Sequence, residues 1–305
     1  MVNVRKVFTF TGHSAPIYAL EKGVTANLFF SGSGDKFCAL WNLESLEAEK
    51  FAAQFPSTIY SICFVPEKNI LFVGTSSGSI HVLDLANRNE LKILQHHTDG
   101  IFSIKYSMFT NSFYSVGADG NFAVCSLESL SLLKIKKICS QKVRSIDFCN
   151  SRNEMVLACG DGFIRVYDMH TLMEKQVVQA HSMSCNVVRY SSAGDVLLTG
   201  GKDAHLNVWN MNYKLIKSIP AHNFAIYDIQ YSPDTTLFAT ASRDKTIKIW
   251  DSSSFEVVKR INNETHGAHV NSVNKIYWST FNNLLVSAGD DRATMVWEVK
   301  KVNVA

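Results

Sequence analysis

The sequence predicts an all-β fold, a propeller built from seven copies of a four-stranded unit, and two observations lead to it. The first is a period. Trp41, Leu83, Cys125, Tyr167, Trp209, Trp250 and Trp297 follow one another at steps of 42, 42, 42, 42, 41 and 47 residues. A fixed step of that size marks one supersecondary unit copied along the chain. The second is the content of a unit: four short β-prone runs set apart by turn residues, which suits a propeller blade. The runs lie too close together for crossover helices, which argues against a parallel α/β fold.

The units start near residues 12, 54, 96, 138, 180, 221 and 268. The sixth displays the elements in order. Ile226-Tyr227-Asp228-Ile229-Gln230-Tyr231 alternates apolar and polar residues, the period of a half-buried strand. Ser232-Pro233-Asp234 is turn chemistry. Leu237 to Ala241 reads as the second strand, Ser242-Arg243-Asp244-Lys245 as a tight turn, and Thr246 to Trp250 as the third strand. A fourth strand near Phe255 to Ile261 leads into the next unit. One connection is long. Trp250 to His269 exceeds Trp209 to His222 by six residues, and the surplus falls at Asn262-Asn263-Glu264-Thr265-His266-Gly267. Loops tolerate such insertions and often carry function. At the chain ends, Val4 to Phe10 supplies a β-prone run before the first unit, whereas no full fourth strand follows Trp297.

Composition narrows the function. A length of 305 residues would admit two domains of about 150 residues each. The repeat runs unbroken from residue 12 to residue 298, however, so residues 1–305 are expected to form one domain. A net charge of +3 is too small to imply a nucleic-acid or membrane partner by itself. The seven cysteines include no Cys-x-x-Cys pair, and most lie in apolar stretches as small hydrophobes. No disulfide, metal site or cofactor is expected, and a reducing compartment is favoured. Met1 to Thr11 holds no apolar run of signal-peptide length, and no segment reaches the ~18 apolar residues that cross a bilayer. The expectation is a soluble intracellular protein of the cytoplasm or nucleus.

The sixth unit resembles the WD40 repeat, with Ala221-His222 for the usual Gly-His and a literal Trp250-Asp251 at its end. Gly12-His13 with Trp41-Asn42, Ala180-His181 with Trp209-Asn210, and His269 with Trp297-Glu298 vary the same signature. The resemblance covers essentially the whole chain and implies a seven-bladed propeller whose last blade is closed by the N-terminal strand. It also implies buried quartets of His, Ser or Thr, Asp and Trp. These fall on His13, Ser31, Asp35 and Trp41; on His181, Thr199, Asp203 and Trp209; on His222, Thr240, Asp244 and Trp250; and on His269, Ser287, Asp291 and Trp297. A buried carboxylate and indole N–H need partners, which the imidazole and hydroxyl supply. Blade 3 keeps His97, Ser115 and Asp119 but has Cys125 in the Trp place. Blade 2 has Phe55, Val73, Ser77 and Leu83, and blade 4 has Cys139, Leu157, Asp161 and Tyr167. Blades 2 and 4 are therefore expected to hold their loops less rigidly.

Ser31, His13 and Asp35 also have the composition of a hydrolase triad. The same trio occurs five times, which burial explains and catalysis does not, so no catalytic residue is assigned. Proteins of this family commonly bind peptides on the blade edge that carries the quartet turns. Carried over, the fifth residue after each quartet His gives Tyr18, Tyr60, Phe102, Arg144, Asn186, Tyr227 and Asn274. The third gives Pro16, Thr58, Gly100, Lys142, Ser184, Ala225 and Ser272, and the residue before the Asp gives Lys202, Arg243 and Asp290. Aromatic rings with Arg fit the composition of binding hot spots. An upper-rim site for a protein or peptide is expected, oriented by Lys142, Arg144, Lys202 and Arg243. Lys134, Lys136, Lys137, Lys142, Arg144 and Arg152 make one arc basic against Asp147 alone, which favours an acidic partner segment over nucleic acid. Two alternatives remain: a structural subunit assembling through blade sides, and an enzyme on a propeller scaffold. The sequence is silent on the partner's identity and on oligomeric state.

Overall fold

A computed structural model describes residues 2–301, and nearly all of its regular structure is β. The first strand is β1 (Val2–Phe10). Blade 1 holds β2 (Ile17–Lys22), β3 (Leu28–Ser33), β4 (Phe37–Asn42) and β5 (Glu47–Gln54). Blade 2 holds β6 (Ile59–Val65), β7 (Ile70–Thr75), β8 (Ser79–Asp84) and β9 (Asn89–Gln95). Blade 3 holds β10 (Ile101–Ser107), β11 (Ser112–Gly117), β12 (Asn121–Ser126) and β13 (Leu132–Lys137). Blade 4 holds β14 (Val143–Cys149), β15 (Glu154–Cys159), β16 (Phe163–Asp168) and β17 (Glu174–Gln179). Blade 5 holds β18 (Cys185–Tyr190), β19 (Val196–Gly201), β20 (His205–Asn210) and β21 (Leu215–Pro220). Blade 6 holds β22 (Ile226–Tyr231), β23 (Leu237–Ser242), β24 (Ile247–Asp251) and β25 (Val257–Ile261). After the short helix α1 (Asn263–His266), blade 7 holds β26 (Val273–Trp278), β27 (Leu284–Gly289) and β28 (Thr294–Lys301).

Seven four-stranded antiparallel sheets result, the blade count that the sequence period predicts. Six follow chain order. The last runs β1-β28-β27-β26, so the N-terminal strand completes the sheet that the C-terminal strands begin. The second strand of most blades is buried along its whole length, as in β7, β11, β15, β23 and β27. Side chains on both faces meet neighbours, which is why these runs read as almost continuously apolar. The fourth strands β13, β17 and β21 are exposed over most of their length.

The described residues form two units, one of residues up to Pro56 and from His222 onward, the other of Ser57–Ala221. In the first, β1 pairs with β28 from Val2 opposite Lys301 to Phe10 opposite Thr294. Val2 and Val4 enter a core with Ile261, Trp278 and Trp297. Phe10 joins a second core, its ring 5.6 Å from Phe29 and 5.2 Å from Trp41. The insertion before blade 7, expected as a loop, is the helical turn α1. Asn262 caps it by accepting from the Thr265 N–H, and Gly267 ends it at φ 60, the left-handed conformation that glycine adopts without strain. Lys6 Nζ donates to the Gly267 carbonyl at 2.8 Å, which ties the insertion to β1.

The Ser57–Ala221 unit contains blades 2 to 5. Phe72 and Phe113 stack at 4.3 Å between blades 2 and 3, and Tyr114 meets Phe148 edge-on at 5.1 Å between blades 3 and 4. A single carboxylate joins three blades. Asp147 on β14 takes Lys105 Nζ of β10 at 2.6 Å, Arg189 of β18 at 3.4 Å and the Tyr190 N–H at 2.8 Å. Burial pushes its pKa up, but the two cations more than offset that and hold it below the usual carboxylate value. Asp147 therefore stabilises the packing of blades and does not balance the basic arc at the surface.

Candidate functional site

Each blade's first two strands share one irregularity. The pairing of first with second strand skips a residue near its start in all seven blades. The skipped residues are Tyr18, Tyr60, Phe102, Arg144, Asn186, Tyr227 and Asn274, the fifth positions singled out in the sequence. A β-bulge takes one residue out of the ladder and re-aims its side chain, and bulges recur beside binding sites. The repeat thus fixes not only which residues stand at these positions but also the backbone feature that presents them.

In the Ser57–Ala221 unit, three of these residues converge. The Tyr60 and Phe102 rings lie 5.6 Å apart at an angle of 43°. The Arg144 guanidinium stands 5.3 Å from the Phe102 ring centre, and Lys142 Nζ stands 5.7 Å from it. Cations over an aromatic face at this range are attracted by the ring quadrupole. Tyr60, Phe102 and Arg144 are half-buried and Lys142 is exposed, so the rings are less open than their sequence positions suggested. The nearby acid, Asp99, accepts the Gly100 N–H at 2.7 Å. Farther along, Asn186 accepts from the Ser184 hydroxyl at 2.9 Å, and Lys202 is exposed. Much of the remaining basic arc is already engaged. Lys136 Nζ lies 4.6 Å over the Tyr167 ring, Lys137 donates to the Asp119 carbonyl, and Arg152 pairs with Glu154 at 2.9 Å.

In the other unit, Tyr18 and Tyr227 are half-buried. Arg243 lies 5.8 Å over the ring of Phe224, an exposed aromatic that sequence reasoning passed over. The Asn274 amide is committed to the Ile17 carbonyl at 3.1 Å and to Asp290 at 2.7 Å, so it holds strands together there.

Behind these edges lie the polar quartets. His13 Nδ1 donates to Asp35 at 2.8 Å, and its Nε2 accepts the Ser31 hydroxyl at 2.7 Å. The Ser31 oxygen in turn accepts the Trp41 indole N–H at 2.7 Å. The carboxylate and indole fix these donor roles, since only one assignment satisfies every group. Asp35 also accepts the Ser14 and Phe37 N–H groups, which pins two loops to one side chain. The same chain of bonds links His181, Thr199, Asp203 and Trp209. It links His222, Thr240, Asp244 and Trp250, and again His269, Ser287, Asp291 and Trp297. Blade 3 keeps the His97 bonds to Asp119 and Ser115 alone. Ser31 has the contacts of a triad serine, but it is fully buried and its oxygen already holds an indole. A substrate carbonyl has no route to it.

Blades 2 and 4 bury apolar side chains at the quartet positions Phe55, Val73 and Leu157 and add other polar ties at their turns. At the blade 2 turn, Ser77 bonds the hydroxyls of Ser57, Thr75 and Ser79 at 3.0–3.1 Å, and Gln95 bonds Ser79 and the Ser77 carbonyl. In blade 4, Arg165 holds Asp161 with bonds of 2.7 and 3.1 Å. Beside them, Cys139, Cys159 and Asp161 place their sulfurs and a carboxylate oxygen within 4.8 Å of one another. That grouping was missed because the cysteines are distant in sequence. The available signal was Cys139 standing at a quartet His position.

Five segments, residues 4–42, 133–168, 173–210, 213–251 and 260–298, match the family model described as WD domain, G-beta repeat, and together they make up more than half of the chain. The chain belongs to the WD40 family. The WD40 matches pass over residues 43–132, the stretch with Leu83 and Cys125 in the Trp places. Similar proteins include one of the subunits of mouse Chromatin assembly factor 1, 26% identical over 147 residues, covering 41% of this chain and 25% of that protein. Protein HIR1 of Cryptococcus neoformans var. neoformans is 23% identical over 145 residues, covering 42% of this chain and 16% of its own length. The Ribosome biogenesis protein WDR12 homolog of Drosophila persimilis is 33% identical over 129 residues, covering 41% and 30%. The chain spans less than a third of the length of each of these relatives. Among the described residues, no helix is long and apolar enough to cross a membrane.

Proposed function

We propose that this protein is a non-catalytic interaction platform that captures an acidic segment of a protein partner on the edge of blades 2 to 4. The observation that carries the reading is the cluster of Tyr60, Phe102, Lys142 and Arg144, assembled by bulges at three successive first strands. Half-buried rings give a firm apolar floor, and two cations beside them favour carboxylates, the combination found at interface hot spots. Lys202 extends the positive edge. The basic arc is too fully engaged elsewhere to favour nucleic acid. The names of the relatives, chromatin assembly and ribosome biogenesis among them, support a role in assembling larger complexes.

The test is affinity capture with the wild-type chain beside a Phe102→Ala/Arg144→Glu double variant, both shown to be folded. Removing hot-spot residues costs about 2 kcal/mol or more, so captured partners should fall roughly 30-fold. Unchanged capture would move the site elsewhere. A second reading, assembly through blade sides, is favoured by one finding. The outer strands β9, β13 and β21 expose Ile93, Leu133 and Ile216 at 53%, 61% and 56%. Capture that survives the double variant but fails with Ile93→Lys/Leu133→Lys would support that surface instead.

A further inference from the structure

Blade 4 carries a cysteine pair, Cys159 in a buried core and Cys139 packed against it, that the partner site does not use. Cys139 lies in the connection between β13 and β14, at the position that holds the quartet His in other blades. Cys159 ends β15, and the two sulfurs lie within 4.8 Å of each other. The neighbouring blades show why they meet. Glycines occupy the Cys159 position in blades 3 and 5, and a Cβ placed on Gly201 would come 2.3 Å from His181 Nδ1. The side chain at this place therefore points at the quartet His. In blade 4 the smaller Cys139 leaves room, and the Cys159 thiol fills it.

Six of the seven cysteines are buried, and Cys139 alone is half-buried. The Arg165 guanidinium, paired with Asp161 at 2.7 Å, also lies against the Cys159 sulfur. That guanidinium already neutralises Asp161, so the group does not read as a cation site. A half-exposed thiol in contact with a second thiol is a pair open to thiol–disulfide exchange.

We propose that Cys139 and Cys159 are a modification site, converted to an intramolecular disulfide by a low-molecular-weight disulfide, with Cys139 as the attacking thiolate and Cys159 as the resolving thiol. In the first step, the Cys139 sulfur attacks one sulfur of the small disulfide. A mixed disulfide forms on Cys139, and one small thiolate leaves. In the second, Cys159 gives its proton to that thiolate, attacks the Cys139 sulfur and expels the second small thiolate, which takes up from water the proton that Cys139 lost on ionising. The two protein thiols are oxidised by two electrons, and the small disulfide is reduced to two thiols. Closure needs the sulfurs to approach to about 2.05 Å, a shift that the loop position of Cys139 allows. The bond would tie the connection that carries Lys142 to β15, as the His–Ser or His–Thr bond does in blades 3 and 5.

Acidity supports the assignment of roles. Contact with the Cys159 sulfur lowers the Cys139 thiol, and the same contact together with burial pushes Cys159 up. A lowered thiol is richer in thiolate at neutral pH, and its lower intrinsic nucleophilicity takes back part of the rate advantage.

The experiment incubates the full-length folded chain with oxidised glutathione, traps free thiols with an alkylating agent and maps peptides by mass spectrometry. The expected result is a Cys139–Cys159 linked peptide in the wild type and a stable glutathione adduct on Cys139 in Cys159→Ser. No modification is expected at either position in Cys139→Ser. A wild type that stops at the adduct, or does not react, would overturn the proposal. So would first attack at another cysteine. A second measurement needs no variant: the rate of Cys139 alkylation against pH should rise with a midpoint below ~8.5, the ordinary thiol value. A midpoint at 8.5 or above would remove Cys139 from the attacking role.

Discussion

Ser31 makes two hydrogen bonds with one oxygen, to His13 and to Trp41, whereas Ser115 makes only the one to His97 because Cys125 replaces the indole. Both serines are fully buried. A partner left unsatisfied in the interior costs about 1–3 kcal/mol, so the two sites should respond differently to the same change. Ser31→Ala should destabilise by about 3 kcal/mol and Ser115→Ala by about 1–2 kcal/mol, read as midpoint shifts in urea unfolding. Equal losses would mean that the indole N–H is not part of the stabilising chain. Acid should undo these quartets in a defined window. Burial pushes Asp35, Asp119, Asp203, Asp244 and Asp291 up, but bonds from His and backbone N–H groups more than offset it, and Asp203 is held at about 2. A carboxyl depressed on folding contributes stability above its unfolded value of 3.8 and loses it as pH falls through the folded value. His222, depressed by burial, acts in the same direction: below 6.5 the unfolded chain binds the proton more readily. The melting temperature should therefore decline gently below pH 6.5 and steeply between pH 4 and 2. A flat profile down to pH 3 would contradict the role given to the carboxylates.

β1 is the element on which the first unit depends most. It completes the last sheet, places Val2 and Val4 in one core and Phe10 in another, and anchors the insertion through Lys6. Burying three such side chains contributes on the order of 5 kcal/mol, a large part of the 5–15 kcal/mol that stabilises a typical domain. Removal of residues 1–10 should abolish cooperative melting near the full-length temperature, and Phe10→Ala alone should cost about 3–5 kcal/mol. A truncated chain that melts like the intact one would refute the closure. The turns of blades 2 and 4 call for a revised expectation. Sequence comparison with the quartets suggested looser loops there. The Ser57–Thr75–Ser77–Ser79–Gln95 chain and the Asp161–Arg165 pair supply alternative ties. Amide exchange in these turns should match that of blades 3 and 5 within about tenfold, equivalent to ~1.4 kcal/mol of local opening.

At the scale of the molecule, the period made seven blades legible, because each copy repeats the same strand alternation and turn chemistry. The bulge residues were legible for the same reason: Tyr60, Phe102 and Arg144 occupy one offset in successive copies. The contacts that depend on which blades become neighbours were not. Asp147 reads in the sequence as a lone acid in a basic stretch, yet it is buried between Lys105 and Arg189, each 42 residues away. Cys139 and Cys159 carry no motif spacing, and only the shape of the vacated quartet brings them together. The serines of blade 2 look like ordinary turn residues until their hydroxyls are seen to chain. The exposed outer strands keep two partner surfaces in competition, and amide hydrogen exchange on the complex with a captured partner separates them. The assignment of the site to blades 2 to 4 requires protection concentrated at residues 58–62, 98–104 and 139–146, with β9, β13 and β21 unchanged. Protection confined to those outer strands, with the Phe102 cluster exchanging as in the free chain, would contradict it.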